Sequence, residues 1–307
     1  MLAAVWGGSF LFMRVAAPAL GPLPVAAGRV AVAAVMLVPF LALRGGLGAL
    51  REKAAPIAVV GFVNSAFPFA LIAYATLSLT AGFAAILNAT SPLWGGLLAH
   101  LWLREKLGPV RVAGLAVGFA GVVILVWGKA GLPAGGGLAA AAMLVATFSY
   151  GIAANYTKRR LAGTSPLPSP ASRGEGSPGT SPLAVAAGSQ VAAALMLLPF
   201  ALLAPPARGG TPGAWAAVLA LGVLCTGFAY TLYFRLIQNV GPARAIAVTF
   251  LVPPFAAAWG WLFLGEPVTG RMVVGGLVVL GGTALATGLV GPRPRVAAPG
   301  PTAAGAR

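Results

Sequence analysis

The stretch Pro24-Val25-Ala26-Ala27-Gly28-Arg29-Val30-Ala31-Val32-Ala33-Ala34-Val35-Met36-Leu37-Val38-Pro39-Phe40 returns 160 positions later, from Ala184 to Phe200, as Ala-Val-Ala-Ala-Gly-Ser-Gln-Val-Ala-Ala-Ala-Leu-Met-Leu-Leu-Pro-Phe. Ten of the seventeen positions are identical. With its flanks, each copy is long and apolar enough to cross the roughly 30 Å hydrocarbon layer as a helix of about 20 residues. The repeated unit therefore spans a membrane.

The whole chain agrees. Its 307 residues are 59% hydrophobic and 8% charged, and the mean hydropathy is +0.93, an all-α integral membrane composition rather than that of a soluble domain. Hydrophobic runs predict ten spans, at about 2 to 18, 24 to 43, 56 to 77, 81 to 103, 109 to 127, 136 to 157, 184 to 204, 213 to 236, 242 to 264 and 271 to 290. Met1 leads straight into apolar sequence with no basic region ahead of it, so no cleavable signal peptide is expected. Span 1 is barely long enough, which fits a start codon lying upstream.

The net charge of +16 points to topology and not to nucleic acid. Fifteen of the twenty Lys and Arg lie on one side: Arg44, Arg51 and Lys53; Arg104, Lys106 and Arg111; Lys158, Arg159, Arg160 and Arg173; Arg235 and Arg244; Arg293, Arg295 and Arg307. The other side holds Lys129, Arg208 and Arg271, with Arg14 and Arg29 inside spans 1 and 2. The positive-inside rule then predicts a multi-pass protein of the cytoplasmic (inner) membrane with both termini in the cytoplasm.

The repeat extends well past its opening motif. Pro92 precedes Glu105 by thirteen residues, with Gly114 and Gly121 nine and sixteen beyond it; Pro253, Glu266, Gly275 and Gly282 keep the same spacing. Trp6 and Arg14 fall 144 positions before Tyr150 and Lys158. Two halves of five spans follow, 1–129 and 130–291, with a tail at 292–307. Five is odd, so the second half enters from the opposite side, an inverted repeat of the kind that builds many secondary transporters. The offset grows from 144 to 160 because Thr164-Ser165-Pro166-Leu167 recurs as Thr180-Ser181-Pro182-Leu183. The Pro/Ser/Gly-rich segment so bracketed, about 164–182, reads as a disordered cytoplasmic insertion without a substrate role.

Trp6-Gly7-Gly8-Ser9-Phe10 with Arg14, Pro24 and Arg29 opening span 2, Pro92 and Glu105 with trailing glycines, and a second half repeating these resemble an EamA-type member of the drug/metabolite transporter superfamily. The resemblance covers nearly the whole chain except the insertion and the tail. It implies ten helices, a central cavity built from spans 1 to 4 and 6 to 9, and spans 5 and 10 at the periphery. It also implies ATP-independent movement of amino acids, related metabolites or toxic compounds, often outward, with no cofactor.

All four acidic residues, Glu52, Glu105, Glu175 and Glu266, fall in predicted connections, leaving no carboxylate at mid-membrane to take a cation or relay a proton. The small multidrug exporters of the superfamily use a span 1 glutamate, and this chain has Arg14 in that span. A cation/proton exchanger of that type is therefore disfavoured. Glu105 and Glu266 are expected to cap the next helix or to pair with local bases. Arg14 and Arg29 are the sharpest signal, since a charge at the bilayer centre costs about 2.5 to 3.5 kcal/mol on insertion scales. Either they snorkel to the headgroups, or they face the cavity and attract a carboxylate or phosphate.

Neutral polar candidates for substrate contact are Asn64, Asn88, Ser91, Ser189, Gln190, Tyr230 and Tyr233, with Asn155 behind them. Each would lose hydrogen bonds against lipid, and each has a helix-to-helix bond as its alternative use. Trp6, Trp94 and Tyr150 are expected at the cavity wall. His100 and Cys225 read as structural, and without a second histidine, a cysteine pair or a carboxylate cluster no metal site is expected. The glycines of spans 5 and 10 suit close packing within the chain, a homodimer interface being the alternative. An intramembrane enzyme would need a buried nucleophile and base, and no such motif accompanies His100. The expectation is an exporter of amino acids or similar carboxylate-bearing metabolites working by alternating access, with a drug or toxic-compound carrier, or a non-transporting receptor or assembly protein, as the alternatives.

Overall fold

The computed structural model describes residues 1–127, 135–161, 181–206, 209–240 and 245–289. Most of the insertion, the tail, and Lys129, Arg173, Glu175, Arg208 and Arg244 lie outside them.

Among the described residues no strand occurs, and nine helices are long and apolar enough to cross a membrane: Leu2–Leu20, Pro22–Leu43, Ala54–Ala75, Pro109–Val126, Gly136–Leu161, Pro182–Leu203, Pro212–Ile237, Ala247–Leu264 and Gly270–Thr287. These are spans 1 to 3 and 5 to 10. Span 4 differs from its expectation, because it is two helices, Ala81–Asn88 and Ser91–Leu103, with a turn at Ala89 and Thr90. The cause is Pro92, which has no N–H for the carbonyl of Asn88 and whose ring crowds it. Ser91 supplies the missing donor, its hydroxyl bonding Asn88 O at 2.7 Å. At the matching place span 9 runs as a 3-10 turn, Ile246–Leu251, before the α-helix Val252–Leu264 and Pro253.

The halves are inverted, and glycines record it. Gly114 and Gly275 are equivalent repeat positions, as are Gly121 and Gly282. A Cβ at Gly114 would lie 2.8 Å from Gly282 O, and one at Gly121 would lie 3.1 Å from Gly275 O. Equivalent residues exchange partners, so spans 5 and 10 run antiparallel about a two-fold axis. Backbones can approach this closely only where no side chain intervenes. The same exchange recurs between spans 2 and 8 and between spans 7 and 3: a Cβ at Gly222 would meet Arg29 O at 3.0 Å, and one at Gly61 would meet Ser189 O at 2.7 Å.

Spans 3 and 8 each contain a π-helical stretch, Phe62–Ala66 and Val223–Phe228, which begin 161 residues apart. Such a widened turn re-aims the side chains it carries. It turns Asn64 in one half and Cys225 in the other toward the middle of the bundle, where both line a common cavity.

Candidate functional site

That cavity has a volume of about 1190 Å³, larger than a drug-sized ligand requires. It extends from Trp6, Arg29 and Tyr230 to Glu105, Arg111 and Lys158, at the end of the bundle rich in Lys and Arg. Repeat-related residues both line it: Trp6 and Tyr150, Phe69 and Tyr230, Asn64 and Cys225, Asn88 and Thr249. Equivalent positions of both halves thus contribute to the lining.

Arg29 breaks that symmetry, since its counterpart is Ser189. The side chain is 6% exposed. Its Nε donates to Thr226 Oγ1 at 3.0 Å, its guanidinium carbon stands 3.9 Å from the centre of the Phe69 ring, and one terminal nitrogen faces Met13 Sδ at 3.9 Å. Thr226 gives its own proton to Leu221 O at 2.9 Å, which commits its lone pair to Arg29. Among the described residues the two ion pairs lie elsewhere, and no carboxylate balances this guanidinium. A desolvated cation without a counter-ion is costly, so the site is built to gain free energy when an anionic group arrives.

Eight of the expected residues line the cavity: Trp6, Arg29, Asn64, Asn88, Ser91, Tyr150, Tyr230 and Tyr233. Asn88 Oδ1 is buried without a hydrogen-bond partner, leaving an acceptor for a donor on a solute. Trp6 and Tyr233 pack with ring centres 5.3 Å apart, and with Phe10, Phe69 and Ile72 they make much of the wall apolar.

Other candidates stand elsewhere. Arg14 does not line the cavity; its Nε pairs with Glu266 Oε1 at 3.1 Å. Glu266 thus pairs with a base 252 residues away, and its other oxygen accepts the Ala81 N–H at 2.8 Å; it caps span 4, not the helix that follows it. Gln190 is fully buried and donates to Ser65 Oγ at 3.0 Å, and Ser189 bonds Ala186 O. Span 7 accordingly contributes nothing to the cavity lining, because a serine in the place of Arg29 is too short to reach it. Asn155 donates to Gly95 O at 3.0 Å, joining spans 6 and 4. Trp94 packs on Phe119 and Phe148 instead of the cavity. His100 Nδ1 lies 2.8 Å from Glu105 O at an exposed helix end. Spans 5 and 10 reach the cavity only at its mouth, through Arg111 and residues 286–289.

Sequence reasoning passed over Phe69, Cys225, Thr226 and Thr249. The signal was available. Shifting Tyr230, Asn64 and Asn88 by the repeat offset of 161 leads to Phe69, Cys225 and Thr249. Among the described residues no three of His, Cys, Asp or Glu cluster as metal ligands do.

The model of the EamA-like transporter family matches residues 1–127 and 174–288. An uncharacterised protein of Pseudomonas aeruginosa is 31% identical over 264 residues, covering 82% of this chain and 84% of that one. A probable terminal-alkyne amino-acid exporter of Streptantibioticus cattleyicolor is 27% identical over 286 residues, 91% of this chain and 89% of its own. A solved crystal structure superposes with a TM-score of 0.59 at 21% identity, over 94% of this chain and 96% of the other, which speaks to the fold alone.

Proposed function

The chain belongs to the EamA-like transporter family, and from that premise we propose that it exports amino acids or related small carboxylate-bearing metabolites by alternating access. The observation that carries the reading is Arg29: a buried guanidinium at the cavity wall, oriented by Thr226 and Phe69 and without a carboxylate partner among the described residues. It receives the solute's carboxylate. Asn88 offers its unpaired amide oxygen to an amino group, and the aromatic wall of Trp6, Tyr150, Tyr230 and Tyr233 accepts an apolar side chain. The Streptantibioticus cattleyicolor relative, a probable amino-acid exporter, supports both the solute class and the outward direction.

A carrier for cationic drugs is the poorer fit, because the central part of the cavity presents Arg29 and no carboxylate, Glu105 lying out at the mouth. Charge bias supports an orientation with the Lys- and Arg-rich end, and both termini, in the cytoplasm. The two five-span halves, 1–129 and 130–291, serve as the moving units. The test is uptake and counterflow in proteoliposomes over a panel of acids, amino acids and neutral solutes, with and without a proton gradient. Accelerated exchange of carboxylate-bearing solutes that Arg29→Ala removes supports the reading; an unchanged Arg29→Ala variant eliminates it.

A further inference from the structure

Among the described residues two ion pairs cross between the halves, one at each end of the bundle, and the repeat makes them counterparts. Arg14 meets Glu266, and Lys158 meets Glu105. Span 6 repeats span 1 at an offset of 144, and the stretch after span 9 repeats that after span 4 at 161, so Arg14 maps to Lys158 and Glu266 to Glu105. Their settings differ. The Glu266 side chain is 10% exposed and Arg14 is 30% exposed, whereas Glu105 and Lys158 are at 41% and 60%. Glu105 and Lys158 border the cavity, and neither Arg14 nor Glu266 does. The cavity thus stops short of a half-buried pair at one end and opens past an exposed one at the other.

Three features secure Glu266. Arg14 uses its fork: Nε takes Glu266, while NH1 takes Thr76 O at 2.8 Å and Leu77 O at 2.9 Å; Lys158 is a point charge that lacks this geometry. Glu266 folds back over Gly260, where a Cβ would stand 2.5 Å from its Oε2. The equivalent of Gly260 is Ala99, which carries a methyl at that position. Finally, the Ala81 N–H holds the second carboxylate oxygen of Glu266 at 2.8 Å.

We infer that these pairs are the two latches of one transport cycle and that sequence makes them unequal, so the resting protein keeps the Glu266 end shut and the Lys158 end open. Arg14–Glu266 is the strong latch. Lys158–Glu105 is the weak one, spanning its mouth without sealing it until the Glu266 end opens. The inference rests on the alternating-access reading above, but its readout needs no solute.

The test places a single cysteine on the cavity wall, Ala89→Cys in a Cys225→Ala background, and follows its reaction with a membrane-impermeant maleimide in sealed vesicles of either orientation. The parent reacts faster from the Lys158 face. Glu266→Gln raises the rate from the Glu266 face by about tenfold and lowers it from the opposite face, as expected when one latch is released. The reciprocal exchange, Ala99→Gly with Lys158→Arg, gives Glu105 the glycine and the guanidinium fork that accompany Glu266 and slows reaction from the Lys158 face. Rates unchanged in Glu266→Gln, or raised from both faces as by general loosening, overturn the inference. Opposite shifts at the two faces uphold it even where transport of every tested acid fails, an outcome that would count against the proposed solute alone.

Discussion

Arg29 carries its guanidinium carbon 3.9 Å from the centre of the Phe69 ring, a residue one repeat away from Tyr230. The ring's negative face and the Thr226 hydroxyl together fix the direction in which the remaining N–H groups point.

Removing that donor array should cost binding more than turnover. A charge-assisted hydrogen bond contributes about 1.5 to 3 kcal/mol, so Arg29→Ala raises KM for carboxylate solutes by about 10- to 100-fold, and Phe69→Leu, which keeps the charge but frees its orientation, raises it less. Concentration-dependent uptake in proteoliposomes checks both. Neutral solutes provide the control.

Gln190 should behave differently. It is buried against Ser65, away from the cavity lining, so Gln190→Met sacrifices a helix-to-helix bond worth about 0.5 to 1.5 kcal/mol and leaves KM unchanged. Thermal unfolding in detergent, set beside uptake kinetics, separates the two effects.

Gly282→Ala puts a methyl 2.2 Å from the backbone nitrogen of Gly118 and 2.4 Å from its Cα. Neither atom can turn aside as a side-chain tip would, so about 1 to 3 kcal/mol of stability is lost. Gly281→Ala, with nothing within 4 Å, is harmless. Unfolding temperatures of the two variants decide the point.

Deleting residues 164–179 removes one copy of the Thr-Ser-Pro-Leu duplication and restores the 144-residue offset between the halves. Transport by the shortened protein stays within about twofold of the parent, as expected for a Pro/Ser/Gly-rich stretch with no counterpart in the first half. Initial uptake rates at equal protein in the membrane measure it.

Fluorescent-protein fusions at either terminus should fluoresce and alkaline phosphatase fusions should be silent, because fifteen of twenty basic residues lie on the side of both ends. An active C-terminal phosphatase would invert the assignment.

The architecture was legible because its signals are periodic: long apolar runs, paired glycines, and offsets of 144 and 161 that repeat from Trp6 to Gly282. Arg29, Asn64, Asn88, Ser91, Tyr230 and Tyr233 were found at the cavity from polarity alone, since a polar group in a span must turn away from lipid. Arg14 misled because a charge inside a span looks the same whether it awaits a solute or a partner, and Glu266, its partner, lies 252 residues downstream. Gln190 misled for the same reason, its partner Ser65 being on another helix. Phe69 and Thr226 were hidden because an apolar ring or a small hydroxyl in a span usually means packing. Only the π-helical turns, which no residue type announces, bring Asn64, Cys225 and Thr226 to the cavity.

The exchanged glycine contacts of spans 5 and 10 have a consequence for inheritance. The fifth helix of each half finds its closest neighbour in the other half, so a polypeptide ending at 127 would carry an unfilled seam that only an oppositely inserted companion could fill. A single unit assembling in this arrangement would have to thread into the bilayer both ways round. Joining both copies in one chain lifts that requirement and lets equivalent positions differ, as Arg29 and Ser189 do.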